Sequence, residues 1–212
     1  MKKVLVINAS ARTQHSHSRK LTEVFTEDWL RLHSDSEIRY RELGNANVPH
    51  VSEAWILANL KPKTARTVED HELLATSDAY IAELRNADLI VLGTPMYNWS
   101  IPSTLKAYID QIMRLNETFK IDPGKGQQPY IGLLENKTVL LLVARGSQGY
   151  ETGEPNAHLN FQTTYLQTVL NMMGIHHIHV VAVSGTSLDK AMLEKTIEQA
   201  HWQVKVVIEM LK

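Results

Sequence analysis

Short apolar runs alternate along the chain with segments in which apolar residues recur at helical spacing. Compact apolar runs bounded by polar segments are typical of buried strands, and recurrence every three or four residues is typical of helices with one buried face. The pattern predicts buried strands at residues 3–9, 38–43, 89–92, 138–143 and 178–183. It predicts helices at residues 18–32, 52–60, 68–86, 102–115, 159–173 and 188–211. Ser18 is the expected N-cap of the first helix, and Gly174 the expected residue after the end of the fifth.

Alternating strands and helices predict one α/β domain, spanning residues 1–212, in which helices cover both faces of a parallel sheet. Ligands of such sheets bind beyond the carboxyl ends of the strands. Loops with unusual chemistry follow three of the predicted strands, at residues 10–18, 94–100 and 144–150. We expect these loops to converge on one site.

Composition narrows the classes of function. The chain has 212 residues and a formal net charge of −1, which gives no general attraction to nucleic acid or to an anionic membrane. It contains 0 cysteines, which excludes thiolate catalysis and Cys-ligated metals. The first apolar run is too short for a signal peptide, and no run reaches the ~20 residues of a membrane span. A cytoplasmic protein is expected.

The loop at residues 10–18 carries the hydroxyls of Ser10, Ser16 and Ser18 between the first strand and the first helix, with Arg12 nearby. Backbone N–H groups at a helix N-terminus and hydroxyl donors together favour a phosphate. Because the loop has no glycine, neither a dinucleotide fingerprint nor a Walker A loop fits. The loop therefore predicts a hydroxyl-held monophosphate, with an ordinary polar turn and helix cap as the alternative.

The loop at residues 94–100 places Met96, Tyr97 and Trp99 at a strand end, in a turn stiffened by prolines. A polarisable aromatic surface at this place suits a flat conjugated ring, and Asn98 can bond the ring edge. The alternative is a loop packed by its own aromatic residues.

In the loop at residues 144–150, Gly146 and Gly149 would let backbone N–H groups approach a ligand and stabilise negative charge on it. An ordinary glycine turn is the alternative reading.

Other signals are weaker. Three histidines lie near the fifth strand, and His177 and His179 face the same way, but no carboxylate accompanies them to complete a metal site. Residues 124–126 read Gly-Lys-Gly, which is half of a phosphate loop without a preceding predicted strand. Lys106 and Asp110, one helical turn apart, are expected to form a surface ion pair rather than a catalytic dyad.

Taken together, these segments resemble the FMN-dependent NADH-azoreductase and quinone reductase family. The matching residues, in chain order, are Ser10, Ser16–Ser18, Pro95–Trp99, Ile101–Pro102, Leu105–Lys106, Asp110 and Ala144–Gly146. The resemblance implies a flavodoxin-like fold with strand order 2-1-3-4-5 and a homodimer with one FMN per subunit at its interface. It also implies ping-pong chemistry, in which NADH or NADPH reduces FMN and the flavin then reduces a quinone or azo compound.

The resemblance also implies roles for individual residues. Those expected to hold the ribityl phosphate are Ser10, Ser16, His17 and Ser18. Those expected to line the isoalloxazine ring are Pro95, Met96, Tyr97, Asn98 and Trp99. Those expected near its pyrimidine edge and carbonyl are Ala144, Arg145, Gly146, Ser147 and Tyr150, although Ala144 and Ser147 depart from the family's Ser and Gly. Phe119 is expected over the substrate side of the flavin. No protein residue is expected to be catalytic, since the flavin carries the chemistry.

Two other functions remain open. A flavin reductase would release reduced FMN to a partner instead of using it. A flavodoxin-like electron carrier would have no substrate site, but such carriers are strongly acidic, and this chain is near neutral with a long excursion at residues 116–136. A receiver-type signalling domain is excluded, because the first and third strands do not end in an acidic cluster.

Overall fold

In the computed structural model, which describes residues 1–211, five parallel strands form one sheet and two short strands form a separate antiparallel pair. The strands are β1 (Lys3–Asn8), β2 (Glu37–Glu42), β3 (Leu89–Pro95), β4 (Phe119–Ile121), β5 (Tyr130–Gly132), β6 (Thr138–Ala144) and β7 (His177–Val183). The helices are α1 (His17–Leu32), α2 (Glu53–Leu60), α3 (Val68–Asn86), α4 (Ser103–Ile112), α5 (Thr163–Met172) and α6 (Lys190–Met210). Every predicted strand and helix is present. Within the described residues, no helix has the length and apolar character needed to cross a membrane.

The five-stranded sheet has the order β2-β1-β3-β6-β7. Numbered within this sheet alone, that order is 2-1-3-4-5, so the expected flavodoxin-like topology is confirmed. From β2 the chain crosses back past β1 to enter β3, and the strand order therefore reverses between β1 and β3. The loops that leave these two strands flank the position where open α/β sheets bind ligands.

The register brings the carboxyl ends of the central strands level with one another. Asn8, at the end of β1, pairs with Gly93 in β3, and Pro95, at the end of β3, pairs with Ala144, at the end of β6. Ala144 pairs in turn with Val183, at the end of β7. The loops after β1, β3, β6 and β7 therefore leave from the same edge of the sheet, and their convergence on one site stays a prediction.

Alternate residues of the central strands supply two hydrophobic cores, one on each face of the sheet. In β3, Ile90 and Leu92 belong to the core under α3, α4 and α5, whereas Leu89 and Val91 belong to the core under α1 and α6. Because both faces are buried, β3 reads as a continuous apolar run instead of an alternation. A slip of one residue would exchange the two cores, so this burial holds the register that aligns the loops.

The first helix begins one residue earlier than predicted, and a different residue caps it. Ser16, not Ser18, is the N-cap of α1: its side chain accepts the Arg19 N–H at 3.4 Å, and the helix starts at His17. Ser18 therefore lies in the first helical turn, where it is fully buried.

The start of α5 differs most from its prediction. Residues 157–159 form a separate 3₁₀ turn, and the Asn160 Oδ1 accepts the Thr163 N–H at 3.1 Å, so the α-helix begins at Thr163 and not at Leu159. Its other end is as expected, since Gly174 follows the helix with a φ of +92°.

Residues 116–136 contain the antiparallel pair β4–β5, which the hydrophobic pattern does not predict. The pair packs against the segment between α5 and β7: a Cβ on Gly132 would come within 2.0 Å of the Gly174 nitrogen, and the Leu134 N–H donates to the Met173 carbonyl at 2.8 Å. Since β7 begins just after Gly174, β4 and β5 lie at the amino edge of the sheet, opposite the converging loops. The Gly-Lys-Gly segment at 124–126 follows β4, contrary to expectation, but it leads into no helix.

Candidate functional site

Hydroxyl groups from the β1–α1 loop gather at the N-terminus of α1. Ser10 and Ser18 are buried, and the Oγ atoms of Ser16 and Ser18 are 3.3 Å apart. Ser16, His17 and Arg12 line a cavity of about 550 Å³ at this place. The structure thus brings together the side chains that the sequence predicts around a phosphate.

The donors in this cavity suit an anion. The N–H groups of His17 and Ser18 lie in the first turn of α1, where no earlier helical carbonyl can accept them, and the helix dipole adds partial positive charge. Burial lowers the pKa of His17, and the nearby Arg12 guanidinium lowers it further. His17 is therefore neutral at pH 7 and presents one N–H donor, while the Arg12 side chain supplies the positive charge.

Arg19, which the sequence pattern did not identify, holds the β1–α1 loop in place through hydrogen bonds from its guanidinium. Its Nη1 and Nη2 donate to the two carboxylate oxygens of Glu42 at 2.5 and 2.7 Å, Nη2 also donates to the Ser10 carbonyl at 2.7 Å, and Nε donates to the Arg12 carbonyl at 2.8 Å. Burial would raise the pKa of Glu42, but hydrogen bonds from Arg19 and Gly44 outweigh it and hold this pKa low. A basic residue in the first turn of a helix opposes the dipole, and that anomaly is the signal that could have identified Arg19.

The β3–α4 loop forms a tight turn at the same edge. The Met96 N–H donates to the Ala144 carbonyl at 2.7 Å, and Tyr97 and Ser100 exchange backbone hydrogen bonds at 2.9 and 3.0 Å. Asn98 and Trp99 occupy the two central positions with φ angles of +47° and +64°. This conformation is unfavourable for a bulky residue. It leaves the side chains of Tyr97 and Trp99 exposed beside the sheet edge.

The loop after β6 is joined to the loop after β7. The Ser187 N–H donates to the Gly146 carbonyl at 3.1 Å, and the Gly185 N–H donates to the Ser147 carbonyl at 3.0 Å. Thr186, between them, lines the cavity at the N-terminus of α1. The second loop was not among the predicted site segments, although its Ser-Gly-Thr-Ser sequence directly follows a buried strand, which is the pattern that identified the others.

Arg145 and Tyr150 lie behind these loops. The Arg145 side chain is fully buried, and its guanidinium donates to Gln162, to Glu151 and to Thr163. The Tyr150 ring lies 5.5 Å from that guanidinium, in another cavity, of about 370 Å³, which Gln148 and residues of β7 and α6 also line. Arg145 therefore directs its hydrogen bonds into the protein, and a contact of either side chain with a cofactor stays a prediction.

The structure does not bring Phe119 to the other predicted site residues. Phe119 begins β4 and pairs with Gly132, at the amino edge of the sheet, whereas the loops described above leave from the carboxyl edge. Within one chain, the length of the strands separates Phe119 from the cavity at α1.

The weaker sequence signals have ordinary surroundings. Lys106 donates to both carboxylate oxygens of Asp110 at 2.6 and 2.7 Å, and both side chains are nearly half exposed, so the expected surface ion pair is confirmed. The His176 Nδ1 lies 3.2 Å from the Asn171 Oδ1. Across residues 1–211, no group of three or more His, Cys, Asp or Glu side chains is arranged to hold a metal ion.

Comparison with known proteins agrees with the fold described above. The chain matches the family described as flavodoxin-like fold over residues 2–207. It is 38% identical to the FMN-dependent NADH:quinone oxidoreductase of Nostoc punctiforme, over 93% of this chain and 94% of the relative. It is 37% identical to FMN-dependent NAD(P)H:quinone oxidoreductase 1 of Pseudomonas aeruginosa, over 95% of each chain. The crystal structure of an FMN-dependent NADH-azoreductase from Bacillus anthracis in complex with FMN is similar over 99% of both chains, with a TM-score of 0.86 and 25% identity.

Proposed function

The chain belongs to the flavodoxin-like fold family, together with the FMN-dependent NADH:quinone oxidoreductases, and from this membership we propose that it is an FMN-dependent NAD(P)H oxidoreductase that reduces quinones and azo compounds. The observation that carries the proposal is the level register of β1, β3 and β6. It sets a hydroxyl-lined anion cavity beside two loops that present aromatic side chains and backbone donors. We place the enzyme in the cytoplasm, in keeping with a chain that has 0 cysteines.

The donor set at α1 fits the phosphate of FMN. Ser16, His17 and Ser18 would bond its oxygens through hydroxyls, imidazole and first-turn N–H groups. Ser10 acts on the loop itself, since its Oγ accepts the Arg12 N–H at 3.2 Å and its carbonyl is held by Arg19. These contacts keep the loop folded before a ligand arrives, which reduces the entropy lost on binding.

The two neighbouring loops would hold the ring. When bound, FMN would supply the redox chemistry, a two-electron exchange with NAD(P)H and, in a separate half-reaction, with the quinone or azo acceptor. The segment Pro95–Trp99 would pack along the ring and exclude water from one side of it. The segment Ala144–Ser147 would offer backbone N–H groups to the pyrimidine edge, where they stabilise negative charge. Protons for the acceptor come from solvent or the flavin, so no protein acid is required.

The position of Phe119 supports a homodimer. Because Phe119 lies at the amino edge of its own sheet, it can approach a flavin at the carboxyl edge only from a second copy of the chain. In the proposed dimer, the partner subunit's Phe119 covers the substrate side of the flavin, and each site is completed by both chains. Nicotinamide and acceptor would bind in turn between the flavin and the partner subunit's Phe119.

The test is to purify the protein with FMN and measure steady-state rates with NADH and NADPH against a panel of quinones and azo dyes. We expect a yellow protein that retains FMN through turnover, with parallel double-reciprocal plots. A colourless protein that leaves both benzoquinone and methyl red unreduced in the presence of added FMN would contradict the proposal. Release of reduced FMN during turnover would instead favour a flavin reductase. Reduction of the bound FMN without reduction of any quinone or azo dye would favour an electron carrier.

A further inference from the structure

Arg145 carries a positive charge in an unfavourable place. Its side chain is 0% exposed, and the residue is 1% exposed. Its Nη2 donates to the Thr163 hydroxyl at 3.4 Å, and Thr163 is the first residue of α5. The positive end of a helix dipole repels a cation. The Asn160 side chain caps α5 by accepting the Thr163 N–H, but it carries no charge that would offset this repulsion. Burial and the dipole both oppose a guanidinium here.

One carboxylate compensates this charge. The Arg145 Nη1 bonds the Glu151 carboxylate, and within residues 1–211 this is the one ion pair that Arg145 makes. The Glu151 side chain is 59% exposed, so its negative charge is screened by water, whereas the positive charge of Arg145 is not. The pair therefore leaves a net positive potential in the interior of the protein.

The guanidinium lies directly behind the two loops that would hold the ring. Arg145 directly follows Ala144, the last residue of β6, which pairs with Pro95 at the end of β3. Its Nε donates to the Gln162 Oε1 at 3.1 Å, and the Gln162 Nε2 donates to the Thr94 carbonyl at 3.4 Å. The charge is thus connected to both strand ends through buried hydrogen bonds. Because Nε, Nη1 and Nη2 all have protein partners, the side chain acts on a ligand through its field.

We propose that Arg145 serves the reaction as a buried charge instead of a cofactor ligand, and that the Arg145–Glu151 pair tunes the reduction potential of bound FMN. The inference rests on the proposed function. A hydride brings two electrons and one proton to the ring and so adds one net negative charge to it. A fixed positive potential behind the ring stabilises that charge, and Glu151 limits the potential by partly neutralising Arg145.

The experiment compares Glu151→Gln with Glu154→Gln. Both variants remove one negative charge from the same exposed segment, but the Glu154 carboxylate accepts the Glu151 N–H, at 3.0 Å, and forms no ion pair with Arg145 within residues 1–211. The potential of bound FMN is measured by equilibration with reference dyes, and FMN affinity and thermal stability are measured alongside. We expect Glu151→Gln to shift the potential to a more positive value and Glu154→Gln to leave it at the wild-type value.

The potential separates an electrostatic role from a structural one, because it depends on the ratio of the affinities for reduced and oxidised FMN. Loosening the loop would weaken both affinities together and leave the ratio unchanged. A Glu151→Gln protein that binds FMN but has the wild-type potential would overturn the inference while leaving the proposed function intact. A wild-type protein that binds no FMN would overturn both. Arg145→Lys, which keeps the charge, is expected to stay closer to the wild-type potential than Arg145→Met.

Discussion

Arg19 and Glu42 form a two-pronged ion pair that ties the first turn of α1 to the carboxyl end of β2, with N–O distances of 2.5 and 2.7 Å. The same guanidinium holds the Ser10 carbonyl at 2.7 Å. The ion pair therefore shapes the phosphate loop, residues 10–18, and holds the Arg19 guanidinium beside the cavity at α1. Because Arg19 is mostly buried and Glu42 is partly exposed, solvent screens the pair only in part.

Breaking this pair should weaken FMN binding through the loop. Arg19→Gln, or Glu42→Gln, is expected to reduce FMN affinity on the order of tenfold, or about 1.4 kcal/mol, because the loop loses its fixed shape before binding. Arg31→Gln is the matched control, since Arg31 pairs with Asp28 at the other end of α1, away from the cavity. The measurement is fluorescence titration of the apoprotein with FMN. Equal affinities for Glu42→Gln, Arg19→Gln and Arg31→Gln would show that the pair does not shape the site.

Removing the hydroxyls of Ser16 and Ser18 together should weaken FMN binding directly. The double alanine variant loses hydrogen bonds to a charged acceptor, so we expect an affinity loss of about 1–3 kcal/mol. Loss of the Ser16 cap should also lower the apoprotein's stability by about 1 kcal/mol. Ser34→Ala, just beyond the other end of α1, controls for the substitution itself. An unchanged dissociation constant for FMN in the double variant would remove the phosphate assignment.

The stability of the apoprotein should fall on mild acidification because of His17. Burial and then Arg12 lower the pKa of His17 below the ordinary value of 6.5, so the unfolded chain binds a proton there more readily than the folded one. His17 therefore has no effect on the free energy of unfolding well above pH 6.5. This free energy falls as the pH drops through 6.5, and it levels off below the pKa of His17 in the folded state.

Denaturant unfolding at a series of pH values checks this. We expect a shallower pH dependence for His17→Gln than for the wild type. Some dependence should persist, since burial and then Lys20 and Lys205 also lower the pKa of His201. Saturating FMN should remove the contribution of His17 to the pH dependence of stability, because a phosphate beside the imidazole favours the protonated form of the ring. A His17→Gln profile that overlays the wild-type profile would contradict the assignment.

Mixed dimers can show whether Phe119 acts across the interface. The Ser16→Ala/Ser18→Ala chain keeps Phe119, and a Phe119→Ala chain keeps the phosphate loop. If Phe119 completes the partner's site, a dimer of one chain of each kind contains one wild-type site. Coexpression of the two should then restore quinone reduction at FMN concentrations where neither variant alone is active. No restoration in a verified mixed dimer would place Phe119 in its own chain's site or outside any site.

The phosphate loop shows what a local sequence pattern can predict and what it cannot. Ser10, Ser16 and Ser18 were identifiable as candidates because they form a hydroxyl-rich segment between a buried strand and a helix, where hydroxyls bind a phosphate or cap the helix. The cap was assigned two residues too late, since Ser16 and Ser18 are chemically equivalent and only the backbone conformation distinguishes them. Gly44 was not identifiable at all: a Cβ on it would lie 1.8 Å from the Ser10 carbonyl, a contact between segments far apart in the chain.

Arg145 and Phe119 show what local pattern leaves out. Both were assigned to the site by resemblance, from their place in a motif. Arg145 lies in the expected loop, but its side chain turns into the start of α5, because Gln162, Thr163 and Glu151 offer it partners there. Phe119 is carried to the far edge of the sheet by packing of Gly132 against Gly174.

By itself, the sequence determined the α/β alternation, the residues that form each central strand and the three chemistry-bearing loops, because burial and backbone conformation impose these locally. Tertiary structure alone decided which loop groups face a ligand and which face the protein. It also placed Arg19 and Thr186 at the cavity beside α1, and Phe119 at the opposite edge of the sheet. Those outcomes depend on the register of the sheet and on contacts between distant segments, where no local pattern of residues carries the information.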